Sequence, residues 1–493
     1  MTHSDQPNIL LLMSDQHNRD YLGCAGHPFV RTAHLDRLAA SGTRFTNAYC
    51  ANPLCGPSRM AFLTSRSSSD IRMWNNGAHL ASDVATFVHH LVAAGYQTIL
   101  CGRMHFDGPD RRHGYERRIL GEQQWIAPSI SHNRVTAHTA GHLEYSGWGR
   151  TPWMMHDQDV ATAAVRFLKS AEARGADHPW FLTVGTSLPH DPCICPKELF
   201  DEYHPHAEVP PLPDGYLDSL HPATRQWRSR AGVDAARDDI LRSARAGYCG
   251  LVTFEDAILG TVLDALEENG LSENTIVIYC SDHGDMAGHL RMWWKTTFYD
   301  GSCGVPLIIS WPGRFRAGAV EHSVCSLLDV GPTLVEIAGG GPMPAVRGRS
   351  LMRFVEAQPP AGLPAWPDTA YAEKVYRPQM REPARMIRRG RWKLNHYHGH
   401  DRPELFDLET DPGEWRDLGT DPGHAAVRDG LHEEVLADWS AETILRHFEW
   451  WDADRAVRDR FRQAARIPPD EAPDPWTPSG DFEFHRGYDF EGD

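Results

Sequence analysis

Short apolar runs rich in Ile, Leu and Val recur along the chain at Asn8 to Met13, Gln97 to Cys101, Trp180 to Val184, Thr275 to Cys280 and Val305 to Ile309. Near-continuous apolar character over a few residues predicts strands buried on both faces, the pattern of a parallel sheet. Stretches of helical periodicity separate them: Thr32 to Ser41, Asp83 to Ala94, Gln158 to Ala173 and Arg245 to Asn269, the last stopped by Gly270 as a C-cap would stop it. The alternation predicts an α/β fold, a large mostly parallel sheet flanked by helices.

Beyond Gly339 the pattern changes. A Pro- and Gly-rich stretch from Gly339 to Pro367, interrupted by Val346 to Val355, reads as a seam, and a second domain is expected to begin near Thr369. Its segment MIRRGRWKLNHYHGHDRPELFDLETDP alternates and carries turn residues, as antiparallel strands do. The expected division is therefore 1–365 for a large α/β domain and 366–493 for a smaller α+β domain with an antiparallel sheet, a charged amphipathic stretch after Trp439 and a Pro-rich tail from Ile467.

The residues just past these strands carry the chemistry, because ligands of open α/β sheets bind beyond the carboxyl ends of the strands. The first run opens into Ser14-Asp15-Gln16, the second into Arg103 and His105, the third into Pro189-His190-Asp191 and the fourth into Ser281-Asp282-His283-Gly284-Asp285. Four strands ending in this way point to one shared site.

Composition narrows the partners. With 493 residues, 41% hydrophobic and 23% charged, the chain can bury an enzyme-sized core. Lys and Arg total 49 against 66 Asp and Glu, a formal charge of -17, which disfavours nucleic acid and anionic membranes, so an anionic small-molecule substrate would need a local positive pocket. The start MTHSDQPNILLLMSDQ has no basic leader, and no stretch has the apolar length of a bilayer span, which makes a cytoplasmic protein the default expectation. The 10 cysteines are scattered, so no disulfide framework is expected, and Cys193 with Cys195 lack the spacing of a zinc site.

The segment Cys55-Gly56-Pro57-Ser58-Arg59 is the strongest local signal. Pro57 suits the first turn of a helix, which would put Cys55 at a helix N-terminus, where free N–H groups and the positive dipole end favour an anion. Arg59 is expected to add fork-like hydrogen bonds to oxyanion oxygens.

Here the chain resembles the sulfatases of the alkaline phosphatase superfamily, whose maturation motif is Cys-x-Pro-Ser-Arg and whose cysteine becomes formylglycine. Asp15, Gly102-Arg103-Met104-His105, His190, Ser281-Asp282-His283-Gly284-Asp285 and Lys295 stand in family order, and Arg391-Trp392-Lys393-Leu394 with Glu404-Leu405-Phe406-Asp407-Leu408 resembles the family's C-terminal hairpin. Within the family, GRMHFDGPDRRHGYERR (residues 102–118) is similar to choline sulfatases, while Asp15-Gln16 with Asp282-His283 is similar to phosphonate monoester hydrolases as well.

The resemblance implies an alkaline-phosphatase-like fold and one divalent cation held by Asp15, Gln16, the modified Cys55, Asp282 and His283. With a histidine ligand, manganese rivals calcium. It implies further that the hydrated aldehyde at residue 55 attacks sulfur, that His190 and Lys295 protonate the leaving oxygen, and that a second hydroxyl loses its proton toward His105 before sulfate is expelled. Arg103 replaces the usual lysine and would hold the oxyanion or the diol; Asn76, in Trp74-Asn75-Asn76-Gly77, would face the sulfate. Trp74 and Trp294 are candidates for an aromatic wall against the substrate, which for a choline ester would act by cation–π attraction.

The implied partners are a small-molecule sulfate ester and a formylglycine-generating maturation enzyme, and a homo-oligomeric assembly stays open. Two other readings remain: a phosphonate monoester or phosphate diester hydrolase using the same nucleophile, and a non-catalytic anion binder that kept the fold. Taken singly, Asp282-His283-Gly284-Asp285 is a polar turn, His190 a structural histidine and Lys295 a surface lysine. Their common order separates the sharp reading from the bland one.

Overall fold

The structure, a computed structural model, describes residues 6–122, 139–175, 178–359, 362–376 and 381–464. The Pro-rich tail from Ile467, and with it the end of the expected second domain, lies outside the described residues. The described residues up to Ser326 supply ten strands: β1 (Asn8–Asp15), β2 (Thr43–Tyr49), β3 (Gln97–Gly102), β4 (Arg117–Leu120), β5 (Gly147–Trp148), β6 (Trp180–Pro189), β7 (Ile194–Cys195), β8 (Thr275–Ser281), β9 (Leu307–Ser310) and β10 (Ala319–Ser326). Eight form one sheet in the order β10-β2-β9-β8-β1-β6-β3-β4, while β5 and β7 pair separately. All neighbours in the large sheet are parallel except β9, which runs antiparallel to both β2 and β8.

The near-continuous apolar runs divide their side chains between two cores. Ile9, Leu11, Met13, Leu100, Phe181 and Ile278 face one side, with Phe62, Phe87 and Leu334 from the helices over it. Leu10, Leu12, Ile99, Leu182, Val184 and Val277 face the other, against Val160, Phe167, Leu259 and Val262. This period-two split under a continuous apolar sequence is what burial on both faces demands.

Several boundaries differ from the sequence expectation, each for a visible reason. The third run extends five residues further, to Pro189, through the small and polar Gly185-Thr186-Ser187, which carries no apolar signal. The strands Thr43–Tyr49 and Ala319–Ser326 are mixed in polarity because they form the edge of the sheet and the place beside it. The helix expected at Gln158 starts at Pro152, with Thr151 as N-cap accepting from the Met154 N–H at 3.3 Å, and ends at Leu168. The long helix Asp238–Glu268 does end before Gly270, whose φ is 68°.

A second sheet comes after these, β11 (Thr369–Tyr376), β12 (Glu382–Arg389), β13 (Trp392–Tyr397) and β14 (Glu404–Asp407), antiparallel throughout and in sequential order. The expected hairpin pairs Lys393 with Phe406 and Leu394 with Leu405. Ala370, Ala372, Ala384, Met386 and Tyr397 of this sheet join the same core as β1 and β8, so the two parts of the chain share an interior. Among the described residues no helix is long and apolar enough to cross a membrane.

Lys393 crosses that junction, fully buried, with Nζ 2.7 Å from Asp300 Oδ1 and 2.5 Å from Glu414 Oε1. The Tyr49 hydroxyl donates to Asp300 Oδ2 at 3.1 Å, and Arg19 pairs with the same carboxylate. Truncating one partner of a buried charge cluster leaves the others uncompensated. Lys393→Met is expected to lower stability by about 3–5 kcal/mol, read as a lower urea midpoint; an unchanged midpoint would show that the cluster contributes nothing.

Candidate active site

Strand register assembles the site. Ser14 pairs with Ser281, so Asp15 and Asp282 leave adjoining parallel strands side by side, and Asp15 itself pairs with Pro189, which brings His190 to the same end. Gly102 pairs with Gly185, and the Arg103 N–H donates to the Gly185 carbonyl at 2.7 Å. A Cβ on Gly185 would stand 1.8 Å from the Arg103 oxygen, so the crossing that aims Arg103 requires glycine there.

Cys55 is the first residue of the buried helix Cys55–Thr64. Leu54 offers no side-chain cap, and the Gly56 N–H is met instead by Asn76 Oδ1 at 2.9 Å. Asn76 therefore touches the motif, while Asn75 closes its own turn on the Gly77 N–H at 2.8 Å. The Ser58 hydroxyl donates to the Asp282 carbonyl at 2.5 Å, which fixes the helix against the end of β8.

Asp15, Cys55, Asp282 and His283, all buried, each present a donor atom, and these atoms lie within 4.8 Å of one another. His283 gives its Nδ1–H to the Gly284 carbonyl at 2.9 Å, which leaves the Nε2 lone pair free, 3.2 Å from Cys55 Sγ and 3.7 Å from Asp15 Oδ1. Two carboxylates, an imidazole held in its metal-binding tautomer and residue 55 are a donor set that fits one divalent ion.

Arg59 does something other than fork onto a substrate oxyanion. Its guanidinium, fully buried, donates from Nε to Asp282 Oδ2 at 2.8 Å, from Nη2 to Asp15 Oδ2 at 3.3 Å and the Ser14 carbonyl at 3.2 Å, and from Nη1 to the Arg103 carbonyl at 3.0 Å. It braces both carboxylates from behind. Arg103 donates from Nε to the same Asp15 oxygen at 2.7 Å and from Nη2 to His105 Nδ1 at 3.1 Å.

An arginine N–H can only donate, so His105 accepts at Nδ1 and carries its proton on Nε2. The ring counts among the hydrogen-bonding neighbours that lower the Cys55 thiol. The His105 backbone, at φ 61°, is held by Glu122, whose oxygens accept the His105 and Phe106 N–H groups at 2.8 and 3.0 Å.

Lys295 stands on the opposite side of Cys55, its Nζ 3.2 Å from Sγ, 2.6 Å from Gln16 Oε1 and 2.8 Å from His190 Nε2. Three acceptors meet three ammonium hydrogens. Burial works against that charge, but Cys55, Asp15, Asp191 and Asp282 hold the amine above the usual lysine value. His190 donates from Nδ1 to the Asp191 carbonyl at 2.8 Å and accepts from Lys295. Against burial and the Lys295 charge, the Asp191 and Asp15 carboxylates lift His190 to about 9.

Gln16 bridges both sides of the site: Nε2 donates to Asp191 at 3.1 Å and to Asp285 at 2.5 Å, while Oε1 accepts from Lys295 at 2.6 Å. Trp74 packs on His447 and Phe448 with Trp439 and Val375, and Trp294 lies edge-on to His142. Only 5% and 1% exposed, neither ring offers an open face to a quaternary ammonium.

Four supporting residues were not singled out from sequence. Asp191 receives His142 Nε2 at 2.6 Å as well as Gln16, and Asp285 accepts the Ala287 and Trp294 N–H groups at 2.6 and 3.0 Å. Both stand in motifs already noticed, beside His190 and His283. His142, in the short helix Ala140–Leu143, and Glu122, just past β4, carry no such signal. His289 and Arg291 turn elsewhere, to the Gly413 carbonyl and to Asp238.

Position 55 is the most positively biased point of the site. Burial opposes a charge on the thiol, yet Lys295, His283, His105 and His190 hold it well below the ordinary thiol range. Burial and Cys55 likewise oppose ionisation of Asp15, and Arg103, His190 and Lys295 keep it below the usual carboxylate range.

Comparison with known proteins puts this arrangement among the hydrolases of the alkaline phosphatase superfamily. The solved phosphonate monoester hydrolase of Agrobacterium radiobacter superposes with a TM-score of 0.74 at 26% identity, covering 88% of this chain and 95% of that one. The sulfatase family profile matches residues 7–340, and that of N-sulphoglucosamine sulphohydrolase, C-terminal, residues 288–441. The chain is 32% identical over 502 residues to the choline-sulfatase of Rhizobium meliloti, covering 95% of this chain and 94% of that protein, and 29% identical over 452 residues to an arylsulfatase of Clostridium perfringens, covering 84% and 90%. The chain belongs to the sulfatase family and is a sulfuric ester hydrolase.

If Arg59 sets the two carboxylates, Arg59→Lys, which keeps the charge but not the fork, is expected to weaken divalent-metal binding about 10- to 100-fold in calorimetric titration. Unaltered affinity would assign Arg59 to packing alone.

Proposed function

We propose that the chain hydrolyses a sulfate monoester through a formylglycine formed from Cys55 by a maturation enzyme, beside one divalent cation, calcium or manganese, held by Asp15, Asp282, His283 and residue 55. The observation that carries this reading is the convergence on Cys55 Sγ of Lys295 Nζ and His283 Nε2, both at 3.2 Å, at the first residue of a buried helix. The sulfur stands in for the hydroxyls that the hydrated aldehyde would present. Together the ion and the converted residue supply a Lewis acid for a non-bridging oxygen and a nucleophile for sulfur.

The chain's own side chains do the rest. Arg59 and Arg103 hold Asp15 from two directions, so its position does not depend on the ligand. His105 presents Nε2–H toward residue 55 and steadies an oxygen there. Lys295 carries the proton for the leaving oxygen, and His190, its Nε2 2.8 Å away, receives or returns it. Gln16 and Asp191 hold that pair in line, and Asn76 fixes the N-terminal turn that faces the anion.

The phosphonate monoester or phosphate diester reading draws support from the likeness to the Agrobacterium radiobacter hydrolase. A sulfate monoester and these substrates all bring one negative charge and tetrahedral oxygens, so transition-state preference must be measured. With metal-loaded, fully converted enzyme and matched leaving groups, kcat/KM for sulfate monoesters is expected to exceed that for phosphonates and diesters by at least ~10²-fold. Lys295→Met is expected to lower kcat on an alkyl sulfate by about 10²- to 10³-fold and on an aryl sulfate by less than ~10-fold, since a good leaving group needs little protonation. A phosphonate or diester preferred by orders of magnitude with both leaving-group types would put the second reading in place of the first.

A further inference from the structure

Thr296, directly after Lys295, has φ 68°, and Trp294 before it has φ 61°. A β-branched residue in the left-handed region stays there only where its surroundings hold it. Thr296 is held from several sides. Its N–H donates to the Pro53 carbonyl at 3.1 Å, two residues ahead of Cys55. Its hydroxyl donates to the Lys295 carbonyl at 2.5 Å and accepts from Trp227 Nε1 at 3.1 Å. Its own carbonyl accepts from Lys374 Nζ at 2.8 Å.

Of these ties, the one to Lys374 alone comes from the C-terminal sheet. Lys374 on β11 stands opposite Ala384 on β12, which in turn stands opposite Tyr397 on β13. The small Ala384 leaves room for the lysine to lie over the Tyr397 ring, 5.4 Å from its centroid, and over Phe298 at 4.6 Å. Two ring faces fix the direction of the ammonium before it meets the carbonyl, so a flexible side chain becomes an aimed one.

We propose that Lys374 is a positioning residue: by holding the Thr296 carbonyl it keeps Lys295 at residue 55, and the C-terminal sheet thereby sets the leaving-group end of the active site. The proposal rests on the reading of Lys295 as proton donor. Lys374 touches no reacting atom; it acts through one neighbouring peptide.

The test compares wild type, Lys374→Met, Lys374→Arg, Lys295→Met and the Lys374→Met/Lys295→Met double variant as full-length, converted, metal-loaded protein. Two readouts are taken: hydrogen exchange of the peptide spanning residues 293–297, and kcat on an alkyl and an aryl sulfate. Lys374→Met is expected to speed exchange about tenfold and lower alkyl-sulfate turnover about tenfold, with aryl turnover within about twofold and no more than about a twofold further loss in the Lys295→Met background. Lys374→Arg, which keeps a cation over the same rings, is expected to hold alkyl turnover within about threefold of wild type. Should Lys374→Met not give folded protein, Lys374→Gln, too short to span the distance, is expected to show the same pattern.

Unchanged exchange, equal loss on both esters, or a fully additive loss in the double variant overturns the proposal while Lys295→Met still reports on the donor reading. If Lys295→Met spares the alkyl ester, the donor reading falls, and exchange at 293–297 alone decides whether Lys374 holds the segment.

Discussion

Two carboxylates, Asp15 and Asp282, are forced together by the register of adjoining parallel strands and are both withdrawn from water. Like charges in a low-dielectric interior repel strongly, and each alone would be driven toward its neutral form. The protein answers with Arg59 behind both, Arg103 on Asp15, and the Gln16 and His283 N–H groups on Asp282 Oδ1 at 3.1 and 2.8 Å. What remains is a face where the two carboxylates, His283 Nε2 and residue 55 bring their donor atoms within 4.8 Å of one another. The buried helix, the His283 tautomer and the opposed Lys295 all arise from the need to build a charged site in a dry place.

The central strands were legible because burial on both faces leaves a continuous apolar signature, as in Ile9-Leu10-Leu11-Leu12-Met13. The strands at one end of the sheet were not: Thr43–Tyr49 and Ala319–Ser326 read as mixed polarity because part of each is incompletely buried. The ends of β1, β3, β6 and β8 were legible as one site, since polar clusters after apolar strands have little other reason to recur. Direction was harder. Arg59 stands in the motif in either case, but only its contacts reveal that it faces the carboxylates, and only the Arg103 contact reveals which nitrogen of His105 carries the proton. Trp74 and Trp294 show the same limit, because proximity in sequence to a motif says nothing about which side of the loop a ring takes.

The C-terminal sheet is more than a cover. Lys393 ties it to Asp300 and Glu414 in the shared interior, and Lys374 ties it to the strained segment beside Lys295. The hairpin was visible as alternation and turns, yet neither tie could be read from it, because Thr296 stands 78 positions from Lys374 and Asp300 93 positions from Lys393. His142 and Glu122 support Asp191 and His105 from stretches that carry no motif of their own.

The central claim is that the chemistry occurs at residue 55 after conversion of the thiol. Peptide mass spectrometry on preparations with graded aldehyde content, run beside sulfate-ester turnover at saturating metal, tests it most directly. The account predicts turnover proportional to the aldehyde or hydrate fraction at residue 55, extrapolating to none in fully thiol protein; full turnover from protein carrying only the Cys55 thiol would contradict it.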